Sequence, residues 1–203
     1  MIELYEFELS GNCHKVRLFL SLLGLLYKSH VLKGAEREQK SEQHLVMNPF
    51  GQVPVLKDGD IVIRDSQAIL VYLARAYANE EWFPNDPVQA AEIAAWLSTA
   101  ANEVARGPNS LRLHYKFGRK IDIEDATLIT ENLLQVLNTH LRDRPWLATN
   151  TITIADLAVY PYIALANEGG VDLTPFVHVE NWLERIAVLP GFVAMPGIHL
   201  RSR

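Results

Sequence analysis

The stretch Val53-Pro54-Val55-Leu56-Lys57-Asp58-Gly59-Asp60-Ile61-Val62-Ile63-Arg64-Asp65-Ser66 sets two short apolar runs, Pro54 to Leu56 and Ile61 to Ile63, on either side of an Asp-Gly pair. Glycine takes positive φ readily, and Asp-Gly between apolar runs is a strong tight-turn signal, so the segment is predicted to be a β-hairpin. Downstream, Asp65 or Ser66 is placed to cap a helix running to about Tyr77, with Ile69, Leu70, Tyr72, Leu73 and Ala76 on its inner side. Upstream, Ile2 to Phe7 and Tyr27 to Leu32 read as strands. Between them Asn12 to Leu25 reads as a helix whose Val16, Leu18, Phe19, Leu20, Leu22 and Leu23 occupy most of its circumference, so it must be covered on two sides. A polar stretch to Gln43 leads into a short helical piece before Asn48.

The resulting order over residues 1–78, βαβαββα, joins a parallel crossover to an antiparallel hairpin and is thioredoxin-like, an α/β domain. Near Glu80 the pattern changes. Trp82-Phe83-Pro84-Asn85-Asp86-Pro87 holds two prolines and polar turn formers, which puts a linker at residues 79–86. Residues 87–203 read as an all-α helical bundle. Ile93, Trp96, Leu97, Ala100, Ala101 and Val104 recur at helical spacing, and Ile129, Leu133, Val136, Leu137 and Leu141 repeat that face on a second helix. Thr153 to Ala166 and Val179 to Leu189 are two more, the latter stopping before Pro190-Gly191. Thr153-Ile154-Ala155-Asp156 has the form of a helix-capping box with Asp in place of Glu. Pro161 is expected to bend its helix or free a carbonyl, and Tyr160 and Tyr162 read as core residues without chemistry.

With 203 residues, 49% hydrophobic and 21% charged, the chain is long and apolar enough to bury a core, which excludes wholesale disorder. A single cysteine, Cys13, cannot form an intramolecular disulfide or a Cys-rich zinc site, and the expected compartment is the reducing cytoplasm. The acidic start Met1-Ile2-Glu3-Leu4-Tyr5-Glu6 lacks the pattern of a secretory signal. The apolar run Leu18 to Tyr27 is about half of what a membrane-spanning helix requires, so no membrane is expected. A net charge of −5 argues against a nucleic-acid partner, and the cluster Arg112, His114, Lys116, Arg119 and Lys120 is read as a solvated loop flank. No metal is expected, because His14, His30, His44, His114, His140, His178 and His199 show no i, i+4 pairing around an acid. No glycine-rich phosphate loop and no Gly-x-Ser-x-Gly elbow is present, so kinase and hydrolase readings have no support.

Three constellations lie on loops at one edge of the predicted sheet. The first is Ser10-Gly11-Asn12-Cys13-His14-Lys15, between the first strand and the first helix. Amides at a helix N-terminus point outward and favour an anion or a developing thiolate. In a thioredoxin-like unit a Cys-x-x-Cys pair stands here, but this chain reads Ser10-x-x-Cys13, so dithiol exchange on its own sulfurs is impossible. A hydroxyl able to donate to another molecule's sulfur remains, or else Ser10 is simply the helix cap. Cys13 is either an inert buried residue or a reactive thiol. The second is Asn48-Pro49-Phe50-Gly51-Gln52-Val53-Pro54. A cis Pro54 there would let Val53 offer its backbone to a peptide ligand as an added strand, and an ordinary trans turn proline is the alternative. The third is Arg64-Asp65-Ser66-Gln67, whose acid and hydroxyl either cap a helix or hold an amino acid's ammonium and carboxylate.

On these residues the chain resembles, over nearly its full length, the cytosolic glutathione S-transferase family, in the serine-type form found in bacteria. The likeness is carried by Ser10-Gly11-Asn12 followed by Lys15-Val16-Arg17, by Lys40-Ser41, by Asn48 to Leu56, by Asp65-Ser66-Gln67-Ala68-Ile69 and by the box Thr153 to Asp156, in that order and spacing. The resemblance implies glutathione as co-substrate. It makes Ser10 the hydroxyl that stabilises the glutathione thiolate, with Asn12 near the sulfur. Val53, preceding a cis Pro54, would pair with the cysteinyl unit, Asp65 and Ser66 would hold the γ-glutamyl end with Gln52 nearby, and Lys40 would meet the glycine carboxylate. Phe50 would enter a partner subunit, so a homodimer is implied.

A free thiol ionises near a pKa of about 8.5, and a helix N-terminus with a hydroxyl donor lowers that value by about one unit or more. The thiolate would then attack a small hydrophobic electrophile in a pocket drawn from Phe7, Leu9 and the helix from Pro87 to about Leu113. Two other functions stay open: glutathione-dependent disulfide or peroxide reduction, in which two glutathiones supply the sulfurs, and a non-catalytic binding module that has kept the fold.

Overall fold

In the computed structural model, which describes residues 1–198 and leaves His199 and the last four residues outside, β1 (Ile2–Glu6) is an inner strand. It pairs in parallel with β2 (Tyr27–Val31) and antiparallel with β3 (Val55–Asp58), which pairs antiparallel with β4 (Ile61–Arg64), giving the order β2-β1-β3-β4. The predicted hairpin is β3–β4: Asp58 faces Ile61 across the turn, and Gly59 takes the φ of +58° that the turn demands.

Helix α1 (Gly11–Leu22) follows β1 and packs against α3 (Ser66–Tyr77) on one side and α8 (Ile154–Ala164) on the other, which accounts for its nearly all-round apolar surface. It ends before the expected Leu25 because Gly24 turns left-handed at φ +65° and the Leu25 amide folds back on the Leu20 carbonyl at 2.9 Å. Two one-turn 3-10 helices, Gly34–Glu36 and Glu38–Lys40, precede α2 (Glu42–Met47), which Ser41 caps. Leu4, Phe19 and Leu70 of this α/β domain share one continuous core with Ile93, Leu157 and Trp182 of the helical one.

The helical domain departs from expectation most in its first part. The run expected from Pro87 to about Leu113 is three helices, α4 (Pro87–Ala101), α5 (Glu103–Arg106) and α6 (Pro108–Phe117). Pro108 has no amide hydrogen with which to continue α5. Gly107 lies so close to its surroundings that a Cβ there would stand 2.9 Å from both the Glu103 carbonyl and Thr130 Oγ1. Helix α7 (Ile123–His140) begins earlier than its apolar stripe suggests, because Asp122 caps it by accepting from the Asp125 amide at 3.0 Å. Then come α8, with Pro161 inside it, and α9 (Val177–Ala187). Among the described residues no helix is long and apolar enough to cross a membrane.

The capping box at α8 is formed: the Thr153 hydroxyl accepts from the Ala155 amide at 3.2 Å, and Asp156 accepts from the Thr153 amide at 3.0 Å. The basic cluster is corrected at one residue, while Lys116, Arg119 and Lys120 are exposed as expected. Arg112 is buried, with Nε donating to Glu168 at 2.6 Å, and Lys116 pairs with the same carboxylate. A charged residue that reads as solvated has been drawn inside by an acid distant in sequence.

Candidate active site

β1 runs out into the loop carrying Ser10, β3 starts with Val55 opposite Tyr5, and β4 ends with Arg64 opposite Val55. The segments bearing Ser10, Val53 and Asp65 therefore leave the same edge of the sheet.

Ser10 caps α1 from extended backbone, φ −85° and ψ 121°, and its Oγ accepts from the Cys13 amide at 3.3 Å. The cap leaves the serine's own proton available. Cys13 itself is fully buried, its Sγ accepts from the Phe7 amide at 3.4 Å, and burial pushes its thiol up to about 11. That decides between the two readings of Cys13: with its thiol buried and protonated it is a packing residue. His14 is likewise buried, held by Nε2 to the Val193 carbonyl at 2.8 Å, and burial lowers it to about 4, so it is neutral.

Lys15 is fully buried, and among the described residues its Nζ has no hydrogen-bond partner. Burial drives it down to about 8, against the attraction of Asp65.

On the neighbouring loop the Val53–Pro54 bond is cis, as the sequence allowed, and the Val53 amide and carbonyl meet no partner among the described residues. The Gln52 carbonyl is held from behind by His44 Nε2 at 3.0 Å and Asn48 Nδ2 at 2.9 Å, while its side chain is exposed. Lys40 lies against this loop, donating from Nζ to the Phe50 carbonyl at 2.7 Å. Gly51 is required at that contact, since at φ +56° a Cβ would stand 2.6 Å from Lys40 Cδ. Phe50 is 61% exposed, with the Arg64 guanidinium 4.8 Å from its ring centroid.

Asp65 caps α3, its Oδ1 accepting from the Gln67 amide at 2.9 Å and the Ala68 amide at 3.1 Å. Its φ of +75° is unusual for a residue with a side chain, and such strain concentrates where a group must be held in one direction. Among the described residues Oδ2 accepts no hydrogen bond and is open to an ammonium. Ser66 is buried and donates to Gln67 Oε1.

The helical domain brings two residues to this corner that helical spacing does not distinguish from core. The Asn12 amide donates to Tyr162 Oη at 3.3 Å, and Arg112 Nη1 donates to the Leu9 carbonyl at 2.9 Å. The first loop thus meets α6 through Arg112. Taken together, the arrangement offers a helix N-terminus with a hydroxyl donor for an ionised sulfur, an unpaired backbone edge for an extended peptide, and a free carboxylate oxygen for an ammonium.

A model of the glutathione S-transferase N-terminal domain matches residues 4–81, and one of the glutathione S-transferase C-terminal domain matches residues 90–190. Glutathione S-transferase 1 of Zea mays is 31% identical over 199 residues, with 94% of this chain and 93% of its own length covered. Among solved structures, a glutathione S-transferase from Xanthobacter autotrophicus superposes with a TM-score of 0.89 at 28% identity, covering 97% of this chain and 98% of that one. A glutathione transferase homologue from Drosophila mojavensis with bound glutathione superposes with a TM-score of 0.85 at 28% identity, covering 93% and 88%.

Proposed function

The chain belongs to the glutathione S-transferase family, and from that premise we propose that it binds glutathione along the Ser10–Val53–Asp65 edge, ionises its thiol and transfers it to a small hydrophobic electrophile. The observation that carries this is the Ser10 cap: a hydroxyl with a proton to give, at the positive end of α1. In this serine-type reading Asn12 stands beside the sulfur, Val53 pairs with the cysteinyl backbone, and the free oxygen of Asp65 receives the γ-glutamyl ammonium with Ser66 and Gln52 near it. Lys40, exposed beside the Phe50 carbonyl, meets the glycine carboxylate. The proposed location is the cytoplasm. The proposed assembly is a homodimer, for which the exposed ring of Phe50 is the support.

Ser10→Ala is expected to lower kcat/KM for conjugation to a model electrophile about tenfold or more, in line with losing one charge-stabilising donor. Unchanged kinetics would move the sulfur's support to the backbone amides or Asn12. Asp65→Ala is expected to weaken glutathione binding about tenfold by calorimetry while reducing kcat less, since it holds a part of the ligand remote from the chemistry. Wild-type affinity would remove Asp65 from the site. The buried, protonated Cys13 bears on the redox alternative, because disulfide or peroxide reduction here would run on two glutathiones alone. Assay of a small disulfide and a hydroperoxide on the same preparation separates that activity from conjugation.

A further inference from the structure

The carbonyls of Phe7, Glu8 and Leu9, the last three before Ser10, each accept from an arginine. Arg17 of α1, paired with the buried Glu6 carboxylate, donates from Nη2 to the Glu8 carbonyl at 2.9 Å and from Nη1 to the Phe7 carbonyl at 3.4 Å. Arg112 comes from the other domain, on α6, and donates from Nη1 to the Leu9 carbonyl at 2.9 Å. The Leu9 carbonyl and the Ser10 amide form one planar unit, and that amide donates to the Phe7 carbonyl at 3.2 Å. The peptide that delivers Ser10 is therefore held on both sides, and its plane sets where the serine side chain leaves the backbone.

Arg112 is itself fixed from the helical domain. It is buried, its Nε donates to Glu168 at 2.6 Å, Lys116 pairs with the same carboxylate, and its guanidinium carbon lies 5.2 Å from the Phe117 ring centroid. Glu168 belongs to the 3-10 helix Ala166–Gly169, which lies against α6 so closely that a Cβ on Gly169 would stand 3.0 Å from the Arg112 amide nitrogen. Nη2 has no partner among the described residues, so Nε and Nη1 alone orient the guanidinium. Two donors of one rigid plane, given to an acid on one side and a carbonyl on the other, form a fork that a lysine's single nitrogen cannot reproduce.

We infer that Arg112 is a positioning residue for Ser10: by holding the Leu9–Ser10 peptide it keeps the serine hydroxyl on the sulfur of bound glutathione. This rests on the reading of Ser10 given above. Arg112→Lys isolates the effect, because it keeps the charge and a donor for Glu168 while losing the reach to Leu9. A change in thiolate acidity then does not come from a missing cation.

The test is an ultraviolet titration of the thiolate in the glutathione-saturated protein, with kcat/KM for conjugation, in wild type, Arg112→Lys, Ser10→Ala and the double variant. Calorimetry with S-methylglutathione, which has no thiol to ionise, reports whether the rest of the site stands. Arg112→Lys is expected to raise the titration midpoint by about one pH unit and lower kcat/KM about tenfold in the wild-type background, with no further change in the Ser10→Ala background. Its affinity for S-methylglutathione is expected to stay within about twofold of wild type, since the groups proposed to hold that ligand are untouched. A wild-type midpoint and kcat/KM in Arg112→Lys would overturn the inference while sparing Ser10. Equal shifts in both backgrounds would show Arg112 acting independently of the serine and overturn it too. So would a loss of S-methylglutathione affinity as large as the loss of kcat/KM, which would mean that the whole site had moved. A midpoint unmoved by Ser10→Ala would overturn the role of Ser10 and the inference with it.

Discussion

Asp156→Ala is expected to cost about 4 kcal/mol of folding stability, enough to lower the midpoint of thermal unfolding by ~10 °C for a chain of this size. Asp156 is fully buried, and its carboxylate joins three separate pieces of chain. Oδ1 accepts from the Leu147 amide at 3.0 Å and from Trp182 Nε1 of α9 at 2.9 Å, while Oδ2 accepts from the Thr153 amide at 3.0 Å and the Thr153 hydroxyl at 3.3 Å. Alanine would strand three N–H donors in a dry core and open the capping box of α8, the helix on which α1 rests. Asp156→Asn separates the contributions. Its carbonyl can serve Leu147 and Trp182, but its amide nitrogen would face the Thr153 donor, so an intermediate loss is expected. Denaturant unfolding of the three proteins checks the order, and a wild-type midpoint for Asp156→Ala would remove this residue from the framework.

Lys15→Met is expected to act in the opposite direction and with a distinctive pH dependence. An ammonium at zero exposure with no hydrogen-bond partner is a cost to the fold, and burial shows it by lowering Lys15 from its ordinary 10.5 to about 8. At about 1.4 kcal/mol per unit, the folded state bears roughly 3 kcal/mol near neutrality that a methionine of similar shape would not. The sign follows from proton counts. Between about 8 and 10.5 the unfolded chain holds the Lys15 proton while the folded chain releases it, so wild-type stability rises with pH across that window. The advantage of Lys15→Met should therefore be largest below pH 8 and shrink toward 10.5. Unfolding at pH 7 and pH 10 measures it, and a variant equally destabilised at both would show that Lys15 contributes packing and not an uncompensated charge.

The parts of the fold legible in the chain are those whose cause is local. Asp58-Gly59 makes its turn by the backbone freedom of one residue, and Thr153 with Asp156 closes a capping box within one helical turn. The all-round apolar surface of α1 announced two neighbours without saying which. The breaks at Asn102 and Gly107 were not legible, because the crowding that demands glycine comes from Ile129 and Thr130 on another helix. Arg112 looked like a solvated cation because sequence records the sign of a charge and not the acid that folding brings to it. Tyr162 was hidden for a related reason: a residue that lines a core and one that touches a site share the same helical spacing.

What the sequence by itself determined is the order of elements, the position of Ser10 at the start of the first helix and of Asp65 at the start of the third, and the resemblance those residues carry. Turn chemistry, caps and periodicity act over a few residues, so they can be read from a few residues. Only the tertiary structure decided that Cys13 is sealed and protonated, that Lys15 is buried with no hydrogen-bond partner among the described residues, and that a phenol from α8 stands over Gly11. Burial and contact between distant segments set whether a group keeps its proton and what it touches, and neither exists until the chain has closed on itself.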